Sequence, residues 1–447
     1  MAAHRVIILG GGFGGLYAAR ALGRAPVELK LIDRRNFHLF QPLLYQVATG
    51  SLSPGEICAP LRSILWRQKN TQVLMGEVVD IDPRARTVQL RDGAVFPYDS
   101  LIVATGSETS YFGHDSWREW APSLKSVEEA TAIRHKILFA FEAAERATTE
   151  EARRQWMTFA IVGGGSTGVE LAGALAEIAN HTLKHEFRSI HPGRAETLLL
   201  DGAPRILPTL PEDLSLRAAD SLHHLGVRIR TGVKVAEVDG DGIQLENEHG
   251  QIERLPTKTV LWAGGVHGGA FGRVLAERTG APLDRHGHIP VEGNLTIPGF
   301  PNIFVVGDLA NRPGPDGKPL PGVAQVAMQG GAYAARVIAA RAKGEPAQFG
   351  PFHYFNKGDL AVIGRNAAVA DIFGLHLHGL PAWLVWLFVH IMYLVQFQSR
   401  VLVFIQWGFQ YLTFSRGARL ITGNPQAVAA ELDSDAPPPV PRERTLR

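Results

Sequence analysis

Short, wholly apolar runs alternate with helix-period segments over most of the chain. Val6-Ile7-Ile8-Leu9 leads into a glycine-rich loop at 10–15 and then the helix-forming LYAARAL, and Val27 to Ile32 is a second apolar run that ends in Asp33. Further along the order repeats: Phe159-Ala160-Ile161-Val162, a glycine-rich loop at 163–168, the helical VELAGALAEIA, and a strand from Thr197 to Leu200 ending in Asp201. Runs of this kind belong to strands buried on both faces of a parallel sheet, so the pattern predicts an α/β fold. From Ile372 onward it changes. LPAWLVWLFVHIMYLVQF, at 380–397, has eighteen residues and no Asp, Glu, Lys or Arg, and VLVFIQWGFQYLTFS follows Arg400 equally uncharged.

Eighteen apolar residues fall within the ~17–25 of a membrane-spanning helix. Three features favour a pair of amphipathic helices lying flat in one leaflet. Pro381 and His390 interrupt the run, Gln406, Gln410 and Thr413 share one face of the second segment, and Trp383, Trp386, Tyr393, Trp407 and Tyr411 are side chains suited to an interface. Arg400, Arg416 and Arg419 are the only charges between Ile372 and Asn424, and all three would be drawn to an anionic leaflet. A buried dimer or core helix over 380–397 is the alternative. The tail, ELDSDAPPPVPRERTLR, has no apolar periodicity and is expected to be disordered.

The two loops carry the chemistry. Gly10, Gly12 and Gly15 satisfy GxGxxG, as do Gly163, Gly165 and Gly168. In each, the first glycine permits the tight turn, the second lets backbone approach a pyrophosphate at a helix N-terminus, and the third lets the helix pack on its strand. Asp33 and Asp201 are placed to accept hydrogen bonds from a ribose. An acid at 201 favours a free 2′-hydroxyl and hence NADH, whereas Arg205 would argue for a 2′-phosphate. These are Rossmann-like units, and two in one chain suggest two dinucleotides brought face to face.

Composition narrows the partners. The 447 residues allow two or three domains, and a net charge of +2 gives no reason to expect nucleic acid. Cys58 is the only cysteine, which excludes an intramolecular disulfide and a thiolate-rich metal cluster; no metal site is expected. Reductases that work through paired cysteines are excluded on the same count. Ile57, Leu61 and Leu65 recur at helical spacing around Cys58, so it is expected to pack as a small apolar residue. The N-terminus reaches its first glycine at Gly10, too soon for a signal peptide.

The doubled unit resembles the two-dinucleotide flavoprotein reductases, in which the N-terminal domain holds FAD and an inserted one holds NAD(P)H. Tyr98 to Gly106, with Thr105 and Gly106, looks like the returning strand and turn of the first domain. Leu261 to Gly265, with Gly264, looks like its counterpart in the second. Asn302 to Asp308 resembles the late strand whose Gly307 and Asp308 meet the flavin's ribityl chain. The resemblance implies a discontinuous FAD domain at 1–120 and 285–345, an NADH domain at 121–284, a helical membrane-anchoring region at 346–424 and a tail at 425–447.

More specifically, RNFHLFQPLLYQVATGSLSP (35–54), GGGSTGVELAGAL (163–175), LPGVAQVAMQ (320–329), YFNKGDLAVIG (354–364) and YLTFSRGARLITG (411–423) resemble the type II NADH dehydrogenases. That family resemblance implies a monotopic, homodimeric flavoenzyme on the cytoplasmic face of the inner or plasma membrane. It would hold FAD non-covalently, oxidise NADH and reduce a membrane quinone without pumping protons. Glu170, on the first turn of the second unit's helix, is expected at the nicotinamide–flavin junction, although a helix dipole alone also favours an acid there. Gln325 and Lys357 resemble the residues on the quinone side. A helix opening near Gln325 would offer free N–H groups from about Ala327 and Met328 to the flavin. Phe13, Gly14, Arg34, Gln41 and Val78 complete the expected cofactor contacts, and His38 is expected to serve structural hydrogen bonding. A soluble NADH oxidase or ferredoxin-type reductase, and a slow redox-sensing flavoprotein, remain the other readings.

Overall fold

In the computed structural model, which describes residues 3–345 and 349–422 together with Gln426 and Leu432, the two repeats fold as two separate parallel sheets. The first has six strands in the order Thr296–Ile297, Phe300–Val305, Ser100–Val103, His4–Leu9, Val27–Asp33, Thr71–Met75. Its outermost pair, 296–297 with 300–305, is antiparallel and the rest are parallel. Late strands therefore complete an early sheet. The second sheet is wholly parallel and runs Val227–Arg230, Glu196–Leu200, Thr158–Val162, Thr259–Trp262. An antiparallel pair, Ser107–Thr109 with Val266–Gly268, links the two.

Each apolar run is buried as the pattern predicts: Val6, Ile7, Ile8 and Leu9 lie in one core, and Phe159 and Ile161 in another. The second core also takes in Phe40 to Ile57, the glycine-loop helix Ser166–Glu177, the strands at 361–370 and the C-terminal Trp386 and Trp407. The stretch 40–57 thus packs away from the sheet it follows in sequence. The helical spacing of Ile57, Leu61 and Leu65 is not one helix. A short helix ends at Ile57, Cys58–Pro60 pairs as a strand with Phe37–Leu39, and a new helix runs Leu61–Leu65. Pro60 forces the break, because it disfavours helix in the residue before it; all three apolar residues are buried regardless.

The C-terminal run is split. One helix spans Gly379–Tyr393, a second Phe397–Thr413, and no described helix is long and apolar enough to cross a membrane. Pro381 does not interrupt the first helix, because it lies in the first turn, where no N–H bond is needed. Nor does His390, which turns inward, stacks on Trp386 and donates from Nδ1 to the Trp386 carbonyl. In the second helix Gln406 and Gln410 of the polar stripe face the protein, while Thr413 is exposed and donates to the Phe409 carbonyl of its own helix. Gln406 and Gln410 donate to the Ser51 carbonyl and Trp407 donates to Gln46 Oε1 at 2.7 Å. Phe404, Ile405, Phe409 and Leu412 point outward, Leu412 being 78% exposed. The expected tail at 425–447 lies outside the described residues, apart from Gln426 and Leu432.

Beyond the second helix, Arg416 is buried and donates to Glu177 Oε2 at 2.9 Å, while Glu177 Oε1 accepts the Arg365 amide at 2.6 Å. This ties the end of the C-terminal pair to the helix Ser166–Glu177. Removing one partner of a buried pair leaves the other charge uncompensated, which costs about 3–5 kcal/mol. Arg416→Met is expected to destabilise by roughly that amount in urea unfolding, and the double variant Arg416→Met/Glu177→Leu by clearly less.

Candidate functional site

The two glycine loops share one geometry. Gly10 (φ +100) and Gly163 (φ +111) take the turn in a conformation open to glycine. A Cβ on Gly15 would overlap the Gly10 carbonyl oxygen, and one on Gly168 the Gly163 carbonyl oxygen, so both helices lie directly on their loops. A Cβ on Gly12 or Gly165 would enter open space. The helices start at Phe13 and Ser166 with no side-chain cap and no acid in the first turn. Their free N–H groups and positive dipole ends are left for an anion. A dinucleotide pyrophosphate therefore fits both cradles.

Asp33 and Asp201 also hold these loops closed. Asp33 accepts the Gly11 amide at 2.5 Å and the Arg35 amide at 2.6 Å; Asp201 accepts the Gly164 amide and the Ala203 amide. Arg205 is engaged with the carbonyls of Leu207, Pro208 and Leu210 at 3.2, 3.0 and 2.9 Å.

A cavity of about 1020 Å³ lies between the two sheets and the C-terminal helices. From the first domain it is lined by Gly10, Gly12, Phe13, Gly14, Asp33, Arg34, Gln41, Val78, Thr105 and Gly106. From the second come Glu170 and Gly264, and from the late strand and its following helix Gly307, Asp308, Gln325, Ala327 and Met328. Lys357 completes the set, and Val385, Val389, His390 and Tyr393 of the first C-terminal helix line the far end. Gly15, Gly163, Gly165, Gly168 and Asp201 do not line it; Gly15 and Gly168 sit beneath their loops.

Glu170 lies one turn deeper in its helix than the sequence suggests, since the helix begins at Ser166. Burial pushes its carboxyl up to about 8, against a hydrogen bond with the Val362 backbone that works the other way. It also borders a smaller cavity of about 120 Å³ walled by Tyr45, Glu177, Trp407 and Arg416. Gln325 grips the turn that carries Lys357: its Nε2 donates to the Gly358 carbonyl at 2.9 Å and its Oε1 accepts the Lys357 amide at 3.1 Å. One turn on, Gln329 holds Phe355 by the same two-ended bond, at 2.9 and 3.0 Å. Lys357 Nζ donates to the Tyr393 hydroxyl at 3.0 Å.

The expected free N–H groups at Ala327 and Met328 are corrected. The helix already begins at Ala324, and Ala327 donates to the Val323 carbonyl. Unpaired donors belong to the first turn, so Ala324 and Gln325 offer them instead. His38 bonds the Gly11 carbonyl through Nδ1 at 2.9 Å, and burial lowers its pKa to about 4, so it is neutral and supports the loop. The Cys58 thiol is pushed up to about 12, chiefly by burial and then by Glu128. Such a thiol is a poor nucleophile. Sequence reasoning missed Ser107 and Lys125: Ser107 donates to Asp308 Oδ2 at 2.9 Å and Lys125 to Ser107 at 3.0 Å. No local motif marks either residue. It also missed His390, lowered by burial to about 4 at the cavity's far end.

The pyridine nucleotide-disulphide oxidoreductase family model matches residues 4–331, and the NDH2 C-terminal domain model matches 356–416. A type II NADH:quinone oxidoreductase of Mycobacterium tuberculosis is 47% identical over 423 residues, covering 94% of this chain and 90% of that one. A second from the same organism is 46% identical over 425 residues, 94% and 89% of the two chains. The solved structure of NDH2 from Plasmodium falciparum in complex with NADH superposes with a TM-score of 0.82 at 21% identity, over 94% of this chain and 100% of that one.

Because the folded carboxyl of Glu170 titrates near 8 against an ordinary 4.5, the folded chain holds its proton more tightly than the unfolded one. Stability is therefore lost as pH rises between those two values. Glu170→Gln is expected to flatten this slope, gaining thermal stability relative to the parent protein as pH climbs through the window. Parallel melting curves at both ends of it would overturn the assignment.

Proposed function

The chain belongs to the type II NADH:quinone oxidoreductases, and from that premise we propose how its residues divide the work. The protein is an FAD-dependent enzyme that oxidises NADH and reduces a quinone. The observation that carries the division of roles is the single cavity running from Gly12 past Glu170 to Val389 and Tyr393 of an apolar helix. A site that served nucleotides alone would gain nothing by ending on apolar helix; an apolar acceptor needs it.

Bound FAD supplies the two-electron carrier between nicotinamide and quinone. The chain's own residues bind and orient. Gly12 and the helix start at Phe13 hold the flavin nucleotide's pyrophosphate, Asp33 its ribose, and Asp308, braced by Ser107 and Lys125, its ribityl chain. Arg34, Gln41, Val78, Thr105, Gly106, Gly307, Ala327 and Met328 wall the rest of the FAD along the cavity. Gly163, Gly165 and Gly168 seat NADH, with Gly264 beside them. Asp201 selects a free 2′-hydroxyl, a reading supported by Arg205, whose guanidinium is spent on carbonyls. Glu170 holds a proton on its carboxyl at neutral pH, beside the nicotinamide–flavin junction. Lys357, oriented by Gln325 and Tyr393, places a cation where reduction gathers negative charge. The division into 1–120 with 285–345, 121–284 and 346–424 is part of this proposal, supported by which strands share a sheet.

The test is steady-state turnover of purified protein in detergent, with NADH and NADPH compared against a soluble quinone. NADH is expected to be preferred and its oxidation to accelerate with quinone. Lys357→Met is expected to lower kcat about a hundredfold or more. NADH oxidation indifferent to quinone defeats the functional reading; an unchanged kcat in the variant defeats the role of Lys357.

The same proposal places the paired C-terminal helices flat on the membrane, as a homodimer facing the compartment that holds NADH. The support is the inverted second helix, Gln406 and Gln410 inward and Phe404, Ile405, Phe409 and Leu412 outward. An outward apolar face bordered by aromatic and basic side chains binds an interface. Phe404→Glu/Ile405→Glu is expected to abolish binding to lipid vesicles while sparing turnover with soluble quinone. Retention of vesicle binding by that variant overturns the placement.

A further inference from the structure

Between the end of the first glycine-loop helix and the turn joining the two C-terminal helices, the surface carries six cations. Arg20 and Arg24 come from the helix end, Arg62, Arg67 and Lys69 from the stretch 61–70, and Arg400 from the second C-terminal helix. None of the stretches 13–24, 61–70 and 379–413 contains an Asp or Glu. Three hydrogen bonds join them into one surface: Gln68 donates to the Ala19 carbonyl at 3.0 Å, Asn70 to the Leu22 carbonyl at 3.0 Å, and Gln396 to the Ser63 hydroxyl at 3.1 Å. All six but the half-buried Arg400 are exposed. Among the described residues none of the six is ion-paired.

Two features show what this surface suits. Trp66 is 70% exposed with the Arg67 guanidinium 4.8 Å over its ring, an arrangement at home where apolar and charged media meet. Arg20 lies 6.0 Å over the Tyr17 ring, and Tyr17 also feels Lys357 and Arg400. Like charges gathered without counter-ions repel and cost stability in the free protein, so the cluster is complementary to an anion from outside. It also adjoins Phe397, 78% exposed, at the start of the outward apolar face. The partner must therefore be apolar within and anionic at its border, which describes a bilayer with acidic headgroups.

We propose that Arg20, Arg24, Arg62, Arg67 and Lys69 of the FAD-binding domain, with Trp66 and with Arg400 of the adjoining C-terminal helix, form a collar that binds the anionic headgroups of the membrane. This makes the first domain a second point of membrane contact beside the C-terminal helices. It rests on the flat-lying placement proposed above and adds to it a dependence on lipid charge. Two contacts on different domains also set the tilt of the cavity mouth, lined by Lys357 and Tyr393, relative to the bilayer.

The test is flotation of the full-length FAD-loaded protein with vesicles of phosphatidylcholine alone and of phosphatidylcholine mixed with phosphatidylglycerol. Each cation near an acidic surface is worth about fivefold in partition. Arg62→Ala/Arg67→Ala/Lys69→Ala is therefore expected to lose on the order of a hundredfold on the phosphatidylglycerol vesicles and nothing on phosphatidylcholine. Added salt should erase the parent protein's preference. Turnover of the triple variant with soluble quinone should match the parent, which shows that it is folded. Equal partition of parent and triple variant on phosphatidylglycerol overturns the collar and leaves the flat-lying helices standing. A parent protein that floats with neither vesicle overturns both. A changed oligomeric mass in the variant with unchanged flotation makes the collar a contact between copies and overturns the lipid assignment.

Discussion

The helix Ser166–Glu177 is pinned along its length by contacts with no slack, and the rest of the site takes its position from it. At its start Gly168 rests on the Gly163 carbonyl; midway, Gly173 rests on the Ile363 carbonyl, where a Cβ would overlap; at its end Glu177 holds Arg416. Glycine at the first two points lets backbone meet backbone, and the ion pair at the third draws in the C-terminal helices. Between these contacts stands Glu170, at the wall between the two cavities. A shift of this helix would move the NADH cradle, the buried carboxyl and the footing of the C-terminal helices together. Rigid packing of this kind transmits displacement instead of absorbing it.

The parts of the molecule that were legible in the sequence are those whose chemistry is local. A strand, three glycines, a helix and a terminal acid sit within a few dozen residues, and each element constrains its neighbour, so both nucleotide units could be read before any tertiary contact was known. Lys125 and Ser107 could not. Their shared partner, Asp308, is distant in the chain, and nothing in PSLKSVEE sets Lys125 apart from a surface lysine. His390 was visible only as a blemish in an apolar run, because a buried histidine and an exposed one look alike in sequence.

The C-terminal helices show a different limit. Periodicity states which residues share a face, so Gln406 and Gln410 were correctly grouped; it does not state which face turns inward. A polar stripe is ordinarily assigned to water. Here it meets the Ser51 carbonyl and Trp407 meets Gln46, from a segment more than three hundred residues earlier in the chain. The apolar remainder is left on the outside. The break at Pro60 and the early start of the helix at Ala324 are of the same sort: local spacing was read correctly, and a single proline or one extra turn decided the outcome.

Cys58 has a practical consequence. The chain carries one thiol, and burial keeps it protonated far above neutral pH. Maleimides and other thiolate-seeking reagents therefore react more slowly with it than with an exposed thiol. A cysteine placed at any chosen point on the outward helices or near Trp66 takes a spin label or fluorophore ahead of it, without first engineering a thiol-free parent. The molecule is in this sense already prepared for depth measurements by quenching from within the lipid.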